Sequence, residues 1–192
     1  SYLGDQTGVY RAMDKLGPAT ASSIAIESQV DERYLQEWLS SNAARGYVTY
    51  DDDRQLFSLS PEQAAVFARE NEPTCIQGLI QGVVGQFVNQ DIAIDVFKTG
   101  RGRPWGEHHE CCFCGTERFF RPAYATHLLE EWIPALEGVE EKLRNGAKVA
   151  DIGCGLGTSS ILMAENFPNS TIHAYDFHAP SIEEARKRAE SQ

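Results

Sequence analysis

The chain has 192 residues, of which 42% are hydrophobic and 23% charged, and a formal net charge of −11. That length holds one ordinary domain or two small ones, and the acidic balance disfavours non-specific attraction to nucleic acid or anionic membranes. No stretch approaches the uninterrupted apolar run that crosses a bilayer: the best, residues 75–97, is broken by Gln, Asn, Asp and several Gly. Five cysteines of uneven spacing do not form a disulfide framework, so a reduced, cytoplasmic compartment is expected. No signal peptide is visible, and the sequence opens at Ser1 inside what reads as a helix, so a native N-terminus further upstream is expected.

Residues 1–70 read as one unit. Val9, Met13 and Leu16 fall at helical spacing in "GDQTGVYRAMDKLG", which Gly17-Pro18 ends. "TASSIAIES" is a second short helix with Thr20 as N-cap. In "DERYLQEWLSSNAARG", Asp31 caps a third helix, Tyr34, Leu35, Trp38 and Leu39 form its apolar stripe, and Gly46 follows its end. "YVTY" and "QLFSLS", joined by "DDDR", read as a hairpin. Three helices and a hairpin are the layout of a winged helix. Its charge has the wrong sign for DNA: six basic residues stand against eleven acidic ones, the third helix carries Asp31, Glu32 and Glu37, and the wing tip is "DDD". A packing or dimerisation module is expected instead.

Residues 71–122 are read as a helical linker and long connector. Pro61 suits the first position of a helix over residues 60–72, and residues 74–97 read as a second helix. Gly78, Gly82 and Gly85 lie on one side of it, where another helix can approach. Residues 98–122 are expected to be irregular, a length that in compact proteins is usually functional or mobile. Residues 123–146 are expected to be helical, divided by Pro134 and ended by Gly146. The three cysteines of "EHHECCFC" (Cys111, Cys112, Cys114) with His108 and His109 suit zinc by donor type. They lack the paired spacing of closed zinc sites, and Cys75 and Cys154 are isolated, so no metal is expected. His108 or His109 lining a substrate pocket is the functional alternative to a plain surface loop. Trp38, Trp105 and Trp132 are read as packing residues.

Residues 123–192 end in a β-α-β unit. "KVADIG" is a short strand, "TSSILMAENF" a helix, and "STIHAYD" a second strand closing on an acid. A triphosphate loop needs Lys followed by Ser or Thr after the last glycine, and none is present. The dinucleotide pattern needs a third glycine where Thr158 stands. The pattern is D-x-G-x-G-x-G: Asp151, Gly153, Gly155 and Gly157, with Asp176 at the edge of the second strand. An acid at the second position can accept a ribose diol. An acid ahead of the glycines would repel a pyrophosphate but suits an ammonium or sulfonium. A ribose, a positive charge and no phosphate together describe S-adenosyl-L-methionine.

"VADIGCGLGTSS" with "HAYDFH" resembles the first motif and following acid of class I S-adenosylmethionine-dependent methyltransferases. "YLGDQTGVYRAM", "DERYLQEWLSSNAARGYVTY", "FSLSPEQAAVFA", "FFRPAY" and "GVEEKLRNGAKVADIGCGLG" are similar to members with an N-terminal winged-helix domain. The resemblance implies an α+β chain: a winged helix, a helical linker, then the beginning of a Rossmann-like α/β methyltransferase domain. It implies a homodimer formed through the N-terminal domain. Gly153, Cys154, Gly155 and Gly157 would let the cofactor approach, Asp176 would bind its ribose, and Asp151 would sit near its amino-acid end. Phe177 and His178 would flank the adenosine, Arg121 would approach the carboxylate, and Tyr124 with Phe120 would line the site.

The class I fold has seven strands, and two are legible here. The chain is therefore expected to be part of a longer enzyme, inactive as it stands, and warmed little in its melting temperature by S-adenosylmethionine. Methyl transfer to a small-molecule acceptor is the leading expectation. The alternatives are a cofactor-sensing winged-helix regulator and a non-catalytic subunit completed by a partner.

Overall fold

The structure is a computed structural model that describes residues 1–191, and its chain divides into two compact units, Ser1–Ile80 and a second beginning at Gln81.

The first unit contains α1 (Tyr2–Gln6), α2 (Val9–Leu16), α3 (Ala21–Ser28), α4 (Glu32–Ala44), β1 (Thr49–Asp51), β2 (Leu56–Ser58) and α5 (Pro61–Phe67). The expected caps are in place: Thr20 accepts from Ser23 N, and Asp31 accepts from Tyr34 N. Ser60 and Gln63 form a reciprocal capping box with Pro61 at the start of α5. β1 and β2 pair antiparallel, Thr49 opposite Ser58, as a hairpin. The first expected helix is in fact two, because Gly8 adopts φ 75, a left-handed conformation that interrupts it.

Val9, Tyr10 and Met13 of α2 pack with Ile24, Leu35, Leu39, Phe57 and Phe67 in the core of this unit. The apolar stripe of α4 is narrower than its spacing suggests, since Leu35 and Leu39 are buried while Tyr34 is 78% exposed. Tyr10 stacks on Phe67 with ring centroids 5.0 Å apart. A Cβ at Gly4 would stand 2.5 Å from the Trp38 ring, so only glycine allows that approach.

α6 (Gln77–Val88) straddles the division between the units, and α7 (Gln90–Thr99) follows it in the second. The single helix expected over residues 74–97 breaks at Asn89. The expected irregular connector is largely α8 (Glu110–Ala123), preceded by a 3-10 turn at Trp105–Glu107. His109 is its N-cap, the ring accepting from Cys111 N at 3.2 Å. Gly85 of α6 lies against α8, where a Cβ would meet Cys112 Sγ at 2.7 Å. The small-residue face read from the sequence thus admits a helix at Gly85, whereas a Cβ at Gly82 would meet nothing.

Pro122 lies inside α8 and contributes no N–H, and the chain continues as a π-helical segment, Tyr124–Trp132. Its wider winding ends with Ile133 N bonded to Leu128 O, five residues back. After the turn at Pro134 come α9 (Val139–Asn145), β3 (Lys148–Ile152), α10 (Thr158–Asn166), β4 (Thr171–Tyr175) and α11 (Ala179–Glu190). Gly146 ends α9 as expected. β3 and β4 are parallel, Lys148 opposite Thr171 through Ile152 opposite Tyr175, with α10 as the crossover. Ile133, Leu143 and Phe167 form a small core beneath them. Among the described residues no helix is long and apolar enough to cross a membrane.

Candidate cofactor cavity

A cavity of about 330 Å³ opens in the second unit at the C-terminal ends of β3 and β4. This is where an open parallel sheet leaves a crevice for ligands.

Its floor is the turn from β3 to α10. Gly153 and Gly155 have φ 81 and 54, and a Cβ at either would touch nothing. Their requirement is therefore conformational: L side chains seldom adopt these angles. Gly157 is needed for space as well, because a Cβ there would stand 2.9 Å from Ala185 Cβ on α11.

Two acids flank the turn. Asp176 Oδ2 accepts the Gly155 N–H at 2.9 Å and Oδ1 accepts that of His178 at 2.8 Å, so one carboxylate joins the end of β4 to the middle of the turn. Asp151 Oδ2 accepts from Ser159 Oγ at 2.8 Å and Ser160 Oγ at 2.6 Å, both in the first turn of α10. Backbone amides and hydroxyls orient these carboxylates without cancelling their charge.

The opposite wall comes largely from the segment expected to be an irregular connector. Trp105, Phe113, Phe120 and Tyr124 line the cavity together with Phe177. Phe113 stacks on His178 with centroids 4.3 Å apart, and the His178 ring bonds Ser181 Oγ at 2.8 Å. Trp105, read as a packing residue, meets Phe113 edge-on at 5.1 Å and faces the cavity.

Burial, then the nearby Asp151, raises the Tyr124 phenol above its ordinary value. The Cys154 thiol is raised by burial first, then by Asp151 and Asp176. Both groups are uncharged at neutral pH. Burial also lowers His108, reinforced by Arg103 and opposed by Glu107.

Of the residues singled out from the sequence, the cavity is lined by Asp151, Gly153, Cys154, Gly155, Asp176, Phe177, Phe120 and Tyr124. Gly157 stands beneath it against α11, and His178 braces Phe113. Arg121 is engaged elsewhere, its guanidinium bidentate on Glu117 at 3.0 and 3.1 Å. His108 and His109 are not lining residues: His108 packs on Trp105 at 5.3 Å, and His109 caps α8. Among the described residues no group of three or more His, Cys, Asp or Glu side chains could hold a metal ion.

Sequence reasoning missed Glu117, Thr158, Phe113 and Trp105. A helical reading of residues 110–123 would have placed Phe113, Glu117 and Phe120 on one face, three or four residues apart. The clustered cysteines and histidines obscured that periodicity.

Residues 1–69 match the family described as the Rv2258c-like winged HTH domain, and residues 143–192 match a methyltransferase domain family. No curated protein matches the chain. Among solved structures, mitomycin 7-O-methyltransferase MmcR is similar with a TM-score of 0.67 at 16% identity, over 99% of this chain and 57% of that one. A putative O-methyltransferase from Nostoc punctiforme gives 0.66 at 19% identity, over 98% of this chain and 55% of that one. Human N-acetylserotonin methyltransferase in complex with SAM gives 0.66 at 11% identity, over 97% and 56%. The chain thus spans less than two thirds of each neighbour's length. The fold is that of an N-terminal winged HTH domain joined to part of a methyltransferase domain.

Proposed function

We propose that the second unit binds S-adenosyl-L-methionine and serves methyl transfer to a small-molecule acceptor. The reading rests on the charge of the cavity wall. The carboxylates of Asp151 and Asp176 face the cavity, held by hydroxyls and backbone amides and not by basic side chains, and none of the described residues lining it is Lys, Arg or His. A pyrophosphate would bring further negative charge to that wall, whereas a nucleoside with a net positive charge is matched to it. Among the structural neighbours, human N-acetylserotonin methyltransferase is in complex with SAM and PigF is with SAH.

Each residue has a role that its geometry supports. Asp176 uses one lone pair of each oxygen on a backbone amide, which leaves acceptor capacity for two ribose hydroxyls. Asp151, held by two hydroxyls, is the partner for the α-ammonium. Gly153, Cys154 and Gly155 let backbone approach the nucleoside, with Gly157 seating the turn on α11. Phe177 and the His178–Phe113 stack flank the adenosine. Tyr124 and Phe120 bound the side where an acceptor would enter. Arg121 reaches the methionine carboxylate only by leaving Glu117. When bound, the donor supplies an electrophilic methyl on sulfonium. The protein's part is to align it with an acceptor and exclude water, which supplies most of the acceleration in such a displacement.

In the first unit, the N-cap Asp31, Glu32 and Glu37 of α4 and the hairpin tip Asp51–Asp53 are all exposed. An acidic surface on these two elements supports a homodimerisation role over contact with DNA. Exposed Leu3 and Ile26, 65% and 77%, offer apolar area for a second copy.

The test is a titration of labelled protein followed by backbone amide resonances. S-adenosylmethionine and S-adenosylhomocysteine are expected to shift Gly153, Gly155 and His178, while NAD and ATP leave them in place. Shifts at these amides with NAD or ATP, and none with S-adenosylmethionine, would refute the proposal.

A further inference from the structure

We propose that Glu117 is the positioning residue of the methyl-donor site, the side chain through which α8 sets the start of α10 and so the glycine turn. The proposal rests on the methyl-donor reading above. Glu117 lines the cavity, yet its side chain is only 10% exposed. Its Oε1 accepts from Thr158 Oγ1 at 2.9 Å, Arg188 Nη1 at 3.1 Å and Arg121 Nε at 3.0 Å. Its Oε2 accepts from Arg121 Nη2 at 3.1 Å.

These partners come from three helices that meet at the turn. Thr158 is the first residue of α10, directly after Gly157. Arg188 lies on α11, whose Ala185 is the surface that Gly157 needs to approach. One carboxylate therefore links α8 to both walls of the turn. Arg121 and Arg188 compensate its charge, Arg188 being shared with Glu184 at 3.3 Å, which separates it from Asp151, whose partners are hydroxyls. A carboxylate so compensated attracts a cationic ligand weakly. Its contribution to binding is geometric, and removing it frees two arginines that are 42% and 33% exposed to turn toward solvent, which releases the start of α10.

Glu117→Gln keeps the shape and an acceptor for Thr158 but removes the charge that both arginines face. Dissociation constants for S-adenosylmethionine and S-adenosylhomocysteine, from amide shifts well below the melting temperature, distinguish positioning from mere folding. Glu117→Gln and Arg188→Gln are each expected to weaken both ligands by about tenfold, and the double variant by no more than either single one. The ligand-free Gly155 and Thr158 amides should shift in both variants while the resonances of β1 and β2 stay put. Wild-type affinity in Glu117→Gln, or fully multiplicative losses in the double variant, would overturn the proposal while leaving the donor reading intact. If the wild-type chain binds neither ligand, the donor reading falls and this proposal with it. If Glu117→Gln does not fold, Arg188→Gln alone decides, with unchanged affinity as the overturning result.

Discussion

Asp176 reaches back to hold Gly155: the carboxylate at the end of β4 accepts the backbone N–H in the middle of the β3–α10 turn at 2.9 Å. The acid that would meet the ribose is thus also the clasp of the loop that would carry the nucleoside. Its replacement should be felt twice. Asp176→Asn is expected to weaken S-adenosylmethionine and S-adenosylhomocysteine alike by about 10- to 100-fold, as loss of a charged hydrogen bond implies. The ligand-free Gly155 amide should shift as well. Calorimetry and amide spectra measure the two effects separately.

Asp151 is expected to behave differently because its charge, and not its reach, matters. Asp151→Asn should cost S-adenosylmethionine about tenfold in affinity but leave methylthioadenosine, which lacks the ammonium, within about twofold. Equal losses for the two ligands would remove Asp151 from the amino-acid end.

Gly157 is constrained in both conformation and space, with φ 80 and Ala185 at 2.9 Å from any added Cβ. Gly157→Ala is expected to destabilise the second unit by about 1–3 kcal/mol, readable as a lower urea midpoint. Adding Ala185→Gly should recover part of that loss, because it relieves the contact but not the backbone strain.

The Cys154 thiol lines the cavity and is raised by burial and by two neighbouring acids. Its alkylation should be slow at neutral pH and accelerate only above the ordinary thiol range, since the thiolate is the nucleophile. Bound S-adenosylmethionine should slow it further. Peptide mass spectrometry with a pulse of iodoacetamide reads both.

His108 is held below its ordinary value of 6.5, and its Nδ1 is buried without a hydrogen-bond partner among the described residues. The unfolded chain therefore takes up a proton at a higher pH than the folded one. Stability is present above about pH 6.5 and is lost as pH falls toward the lower folded value. His108→Gln should flatten the melting temperature between pH 7 and pH 5; an unchanged slope would exclude His108 as its source.

The local elements of this protein were legible in its sequence where short-range chemistry governs them. Thr20 and Asp31 cap helices and Pro61 opens one as read, the hairpin closes between its two alternating runs, and Asp151 with the alternating glycines marks the turn. Each depends on atoms within a few residues, so spacing alone carries the information. The opposite wall was legible only at Phe120 and Tyr124, because Cys111, Cys112 and Cys114 hid the helical periodicity that joins Phe113 and Glu117 to Phe120. Nor does any pattern announce that Glu117 meets Thr158 and Arg188, 41 and 71 residues further on. That meeting is a consequence of how α8, α10 and α11 pack, and it turns an isolated glutamate into a joint of the cavity. The residue types of "DIGCGLG" together with Asp176 imply a cationic nucleoside from local chemistry alone; which side chains enclose it depends on contacts between distant segments, and those exist only once the helices have packed.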